Sequence, residues 1–227
     1  MFMATNQRAL PDIDIRNSQK RCPLVLVLDV SYSMEGNPIQ QLNDGLKVLK
    51  QELLKDDTAK NSVDMAIVTF GGAVELAHDF ATVEAFNPPT LVATDNTPMG
   101  EAIEYALQIL EERQDQYKNY GFKCYKPWVW LITDGCPNDD SPWQEAAQKL
   151  LKTKKIGGKD EFKVFFCAVA VEGADIDMLG QIAQPDNPPV LLNDLDFKTM
   201  FKWLSISIGS QATGQVKLDP LGWGSRG

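Results

Sequence analysis

Four stretches of the chain are apolar almost without interruption: PLVLVLDV (23–30), VDMAIVTF (63–70), PWVWLITDG (127–135) and FKVFFCAVAV (162–171). Short runs rich in Val, Ile and aromatic residues are the pattern of strands buried on both faces. Between them the period changes to three- and four-residue steps. Ile39, Leu42, Leu46, Leu49 and Leu53 mark one face of a helix, and Asn37 and Pro38 predict its N-cap and first helical position. Ile103, Ala106, Leu107 and Leu110 predict a second helix, WQEAAQKLLK (143–152) a third and DIDMLGQIA (175–183) a short fourth. Phe197, Met200, Phe201, Leu204 and Ile208 give the apolar stripe of a closing helix.

After Gly71-Gly72, AVELAHDF (73–80) reads as a hairpin partner of the second strand, and PPVLLND (188–194) as a final short strand. The segment 87–100 reads as a long loop. Strands alternating with helices predict an α/β fold: a doubly wound, mostly parallel central sheet with one antiparallel edge strand and helices on both faces. Residues 1–20 form a polar arm, 21–210 the folded domain, and 211–227, rich in glycine and polar residues, a tail. Trp128 and Trp130 alternate along one strand as core residues, and His78 falls on a sheet edge.

A chain of 227 residues with a formal charge of -9 lacks the basic face that nucleic acid requires. Its densest basic stretch, KLLKTKKIGGK (149–159), reads as the solvated end of a helix. The cysteines Cys22, Cys124, Cys136 and Cys167 form no CxxC pair, and Cys167 sits in an apolar run as a reduced core thiol. With neither a basic-then-apolar leader nor a membrane-length apolar run, the expected location is the cytoplasm, with no membrane partner.

The chemistry gathers where strands end. Ligands of open parallel sheets bind at the carboxyl ends of strands, where the strand order reverses. Three oxygen-bearing loops fall there: Asp29, Ser31 and Ser33 in DVSYS, Thr97 in TDNTPMG, and Asp134 in LITDG. Two carboxylates and three hydroxyls are a hard, all-oxygen donor set that suits Mg²⁺, whereas softer metals favour Cys or His. Neutral hydroxyls leave much of the ion's charge uncompensated, so a carboxylate from another molecule would complete the shell. Each residue also has a local role open to it. Asp29 and Asp134 suit turns, Thr97 suits the N-cap of a helix beginning at Pro98, and Asp139 and Asp140 suit the start of the helix near Pro142.

DVSYS, the Thr97 loop and TDG at 133–135, in that order and spacing, resemble the D-x-S-x-S, T-P-x-G-x-A and hydrophobic-T-D-G pieces of von Willebrand factor A (VWA) domains. The resemblance covers roughly residues 22–210. It implies a metal-ion-dependent adhesion site, with Ser31 and Ser33 on the ion, Asp29 and Asp134 bound directly or through water, and Thr97 alternating between the two. It also implies Mg²⁺, with Mn²⁺ or Ca²⁺ as substitutes. Among VWA proteins the chain is most similar to the bacterial tellurium-resistance TerY type, which implies a cytoplasmic stress-response setting with protein kinases or phosphatases. Three positions depart from the pattern: Tyr32 where Gly is usual, no Gly before the threonine, which leaves Thr94 as a minor competitor, and Cys136 beside the metal loop.

The expected function is a non-enzymatic, Mg²⁺-dependent protein-binding module that captures an Asp or Glu of a partner protein. A metal-assisted phosphohydrolase is the alternative from another class. No P-loop, G-x-G-x-x-G or G-x-S-x-G motif supports it, and the chain has a single histidine. A scaffold whose metal site is vestigial is the third reading.

Overall fold

The first apolar run forms β1 (Cys22–Asp29), and every residue of it is buried. It lies between β2 (Val63–Gly71) and β4 (Trp128–Thr133), both parallel to it. Outward from β4 come β7 (Phe165–Ala170) and β8 (Val190–Leu192), also parallel. β3 (Ala73–Thr82) closes one edge antiparallel to β2, and β9 (Gly224–Arg226) closes the other antiparallel to β8. The seven-stranded order is β3-β2-β1-β4-β7-β8-β9. A computed structural model of the chain, it describes residues 17, 19–94, 98–135, 143–156, 159–210 and 222–226. Most of the polar arm, residues 95–97, residues 136–142 and most of the tail therefore lie outside the described residues.

Side chains alternate across the sheet, so β1 serves two cores at once. Leu24, Leu26 and Leu28 join the cluster under α1 (Asn37–Leu53), α2 (Asp57–Ser62) and α6 (Phe197–Ser210). Val25 and Val27 join the cluster under α3 (Met99–Asn119), α4 (Trp143–Leu150) and α5 (Ile176–Ile182). The α1–α6 contact is close because Gly45 has no side chain. A Cβ there would stand 2.7 Å from the Phe201 ring and 2.8 Å from Phe197 Cβ. Phe197, Met200, Phe201, Leu204 and Ile208 are all buried, as the stripe predicts.

Trp128 and Trp130 are core residues on the α1–α6 face. Trp130 packs with Trp203 of α6 and with Trp223, at ring-centroid distances of 6.1 and 6.3 Å. At the amino end of β2, Asp64 is fully buried among Arg21, Arg113 and Tyr117. This charged cluster lies at the opposite end of the sheet from Asp29.

Several local readings change. Gly36 occupies the cap of α1, so Asn37 is the first helical residue and Pro38 the second. α3 begins at Met99 with Pro98 in the cap position, one residue later than expected. α2 is additional, and Asp56 caps it by accepting from the Ala59 N–H at 2.8 Å. Only Lys149 and Leu150 of the basic stretch are a helix end. α4 stops at Leu150, and β5 (Thr153–Ile156) pairs with β6 (Lys159–Phe162) as a separate hairpin. Its register sets Lys154 opposite Glu161 and Lys155 opposite Asp160. The end of the expected tail supplies β9, giving the sheet a second antiparallel edge. Three residues with a glycine carry no strand period of their own; the buried Trp223 fixes them in place.

Candidate metal centre

β2 lies on one side of β1 and β4 on the other, so the strand order reverses at the β1–β4 junction. The crevice beyond their carboxyl ends is the expected ligand position. Asp29 ends β1 and Asp134 directly follows β4, placing both carboxylates at that crevice.

After Asp29 the chain turns at once. Asp29 Oδ1 accepts from the Ser31 N–H at 2.8 Å, and a short 3-10 turn, Tyr32–Met34, follows. Met34 is buried and anchors the turn, while Tyr32 faces outward and is 67% exposed. That geometry directs the alternating serines inward to one another: Ser31 Oγ and Ser33 Oγ are 3.0 Å apart. Ser33 Oγ in turn donates to Asp134 Oδ1 at 2.8 Å. Four of the expected site residues, Asp29, Ser31, Ser33 and Asp134, are thus linked by hydrogen bonds, the one between Ser33 and Asp134 spanning 101 positions of sequence. Thr97, the fifth, lies outside the described residues, as do Cys136, Asp139 and Asp140.

Thr94 is not part of this network. Its hydroxyl donates to the Gly71 carbonyl at 2.6 Å, and its N–H donates to the Val30 carbonyl at 2.6 Å. It ties the loop to the ends of β1 and β2. The approach depends on Gly71, where a Cβ would stand 2.6 Å from the Val30 carbonyl oxygen.

A further residue takes part. Thr133, buried at the end of β4, donates from Oγ1 to Asp29 Oδ2 at 2.5 Å. It also accepts from the Gly135 N–H at 3.1 Å, which shapes the Asp134 turn. The sequence signal for it was available: it is the hydroxyl residue inside TDG, on the strand expected beside β1.

Both carboxyl groups are held above the ordinary carboxylate range. For Asp29 the main cause is burial, opposed by hydrogen bonds from Ser31 and Thr133, and the nearby Asp134 charge adds to the rise. For Asp134 burial again dominates, opposed by the Ser33 hydroxyl. Negative charge here is under-solvated, which a cation would relieve.

The oxygen spacing fits such an ion. In an octahedron with Mg–O bonds of ~2.1 Å, neighbouring ligand oxygens lie ~3 Å apart. The hydroxyl–hydroxyl and hydroxyl–carboxylate distances of 3.0 and 2.8 Å match that edge, so an ion could replace the bridging protons without large movement. Among the described residues no group of three or more His, Cys, Asp or Glu is placed to hold a metal. The donor set here is of another kind, two carboxylates with serine hydroxyls. His78 stands elsewhere, on edge strand β3, with its ring nitrogens engaged by the Asp79 carbonyl and the Asn87 N–H.

Comparison with known proteins agrees with this architecture. The profile of the von Willebrand factor type A domain matches residues 24–203, and the chain belongs to that family. No curated protein matches it. Among solved structures, proximal thread matrix protein 1 from the mussel byssus is 21% identical with a TM-score of 0.56, over 84% of this chain and 48% of that one. A second structure of the byssus protein, with a zinc-occupied MIDAS motif, is 21% identical with a TM-score of 0.53, over 84% and 48% of the two chains. The ArnB paralog VWA2 from Sulfolobus acidocaldarius is 16% identical with a TM-score of 0.53, over 86% of this chain and 46% of that one. The chain thus spans about half the length of these neighbours. No helix among the described residues is long and apolar enough to cross a membrane.

Proposed function

We propose that the chain is a Mg²⁺-dependent protein-binding module that captures an Asp or Glu of a partner protein. VWA domains commonly act as metal-dependent protein-interaction modules, and the finer reading rests on one observation. Ser31, Ser33 and Asp134 form a chain of oxygens at octahedral-edge spacing, beside a buried Asp29. Ser31 and Ser33 would hold the ion as neutral ligands, with Asp29, Asp134 and Thr97 beside it. The ion would supply an electrophilic vertex for the partner's carboxylate. The zinc-occupied MIDAS motif of the mussel protein supports a divalent cation at such a position. Mn²⁺ or Ca²⁺ would substitute for Mg²⁺.

The module is not an enzyme on this reading. The engagement of both His78 nitrogens far from the crevice leaves the site without an imidazole base, which favours binding over hydrolysis. The motif likeness to TerY-type proteins supports a cytoplasmic, bacterial stress-response setting, with a protein kinase or phosphatase as the partner class.

Calorimetric titration with MgCl₂ tests the core of the reading. The wild-type chain binds the ion, and Asp29→Ala and the Ser31→Ala/Ser33→Ala double variant lose that binding while keeping their circular dichroism. Undiminished Mg²⁺ affinity in the folded double variant refutes the assignment.

A further inference from the structure

Beside the metal crevice, at the carboxyl ends of β7 and β8, lies a cavity of about 640 Å³. Glu172 and Asp194 stand on its rim, both exposed. Ile176, Leu191 and Leu195 supply apolar wall, with Leu191 38% exposed, and no lysine or arginine lines it among the described residues. Gly173 forms the wall toward the crevice, where a Cβ would stand 3.6 Å from the Asp134 carbonyl oxygen. The cavity therefore borders the Asp134 turn along the strand ends. Its opposite wall is fixed: the Asn193 N–H donates to the Trp223 carbonyl at 2.9 Å, which ties the β8 turn to the segment entering β9.

A partly apolar slot with an acidic rim, and with no lysine or arginine in its described lining, complements a side chain with a long methylene stem and a positive head. Lysine and arginine have that form. We propose that this cavity receives a basic side chain from the same partner segment whose carboxylate reaches the metal. The proposal rests on the metal-site reading above. The spacing follows from the sheet. The crevice straddles β1 and β4, and the cavity straddles β7 and β8, which is two strand steps away. With neighbouring strands ~4.8 Å apart that is ~10 Å, or about three residues of extended chain. The recognised element is an acid and a base about three residues apart in an extended segment.

The test is selection of displayed random linear peptides on the immobilised 227-residue chain, in MgCl₂ and in EDTA. In MgCl₂ the selected sequences carry an acid with a Lys or Arg about three residues away. On the Glu172→Gln/Asp194→Asn variant the acid persists and the preference for a base disappears. A synthetic peptide from the wild-type selection binds that variant about fivefold to tenfold more weakly, as expected for the loss of two exposed ion pairs. An EDTA-sensitive acid without a base, an apolar residue in place of the base, or a base retained on the variant overturns this proposal alone. Selected sequences with no EDTA-sensitive acid overturn the metal reading, and this proposal with it.

Discussion

Replacing Thr133 by valine removes one buried hydroxyl from behind the proposed metal crevice while keeping the β-branched shape that suits the end of β4. That hydroxyl donates to Asp29 Oδ2 at 2.5 Å, and the Ser31 N–H binds the other carboxylate oxygen. Asp29 is fully buried, so water cannot replace the lost donor. A hydrogen bond to a charged acceptor contributes roughly 1.5–3 kcal/mol. The loss falls on the ionised form of Asp29, the form a cation needs. The bond also forms without the ion, so its share in affinity is the placing of the Asp29 carboxylate, and Mg²⁺ affinity drops about tenfold to a hundredfold, as for groups that orient metal ligands from behind. Titration calorimetry with MgCl₂, on protein whose circular dichroism matches wild type, reads the effect directly. Capture of an acidic peptide falls in the same proportion. Affinity within about threefold of wild type would show that Thr133 does not support the site.

Two further outcomes follow from the buried charges. In EDTA, Asp29 and Asp134 have raised folded pKa values, so between the unfolded value and the raised one the folded chain holds more protons than the unfolded chain. Their contribution therefore favours folding in acid and is lost as pH rises through that window. In EDTA, the stability of wild type relative to Asp29→Asn falls as pH rises from the unfolded value through the raised folded one, and saturating Mg²⁺ removes the trend; a flat difference in EDTA contradicts the burial argument. At the other end of the sheet, Asp64→Asn leaves the Arg21 and Arg113 guanidinium groups buried without a counter-charge. It costs roughly 3–5 kcal/mol in urea unfolding, with Mg²⁺ affinity unchanged in the folded fraction; a loss under about 1 kcal/mol shows the cluster to be dispensable.

The sheet was legible because its strands carry their burial in their composition. β1 needs apolar side chains on both faces, and LVLVL provides them without regard to neighbours. β9 and the β5–β6 hairpin were not legible for the converse reason. GSR has no apolar alternation, and it is a strand because Trp223 is inserted beside Trp130 and Trp203 and brings it to the free edge of β8. TKKI and KDEF are charge-rich, and their pairing depends on a register between segments that local periodicity does not contain. The Asp64 cluster joins residues 21, 64, 113 and 117, whose encounter depends wholly on topology.

The crevice where Asp29, Ser31, Ser33 and Asp134 meet is long-range too, yet the meeting of its two strand ends was readable. The difference lies in what forces the contact. Once β1 and β4 are adjacent and parallel, their carboxyl ends coincide, so a residue ending one strand meets a residue leaving the other whatever the intervening chain does. Ile132 is registered against Leu28, which brings Thr133 level with Asp29 and sets Asp134 just beyond the edge. Two strand endings and a strand order therefore determine the convergence of Asp29, Ser33 and Asp134. What they leave undetermined is which hydroxyl faces which oxygen. Thr133 shows this: its position in the TDG triplet was plain, but only the pleat decides that it turns toward Asp29 while Asp134 turns toward Ser33.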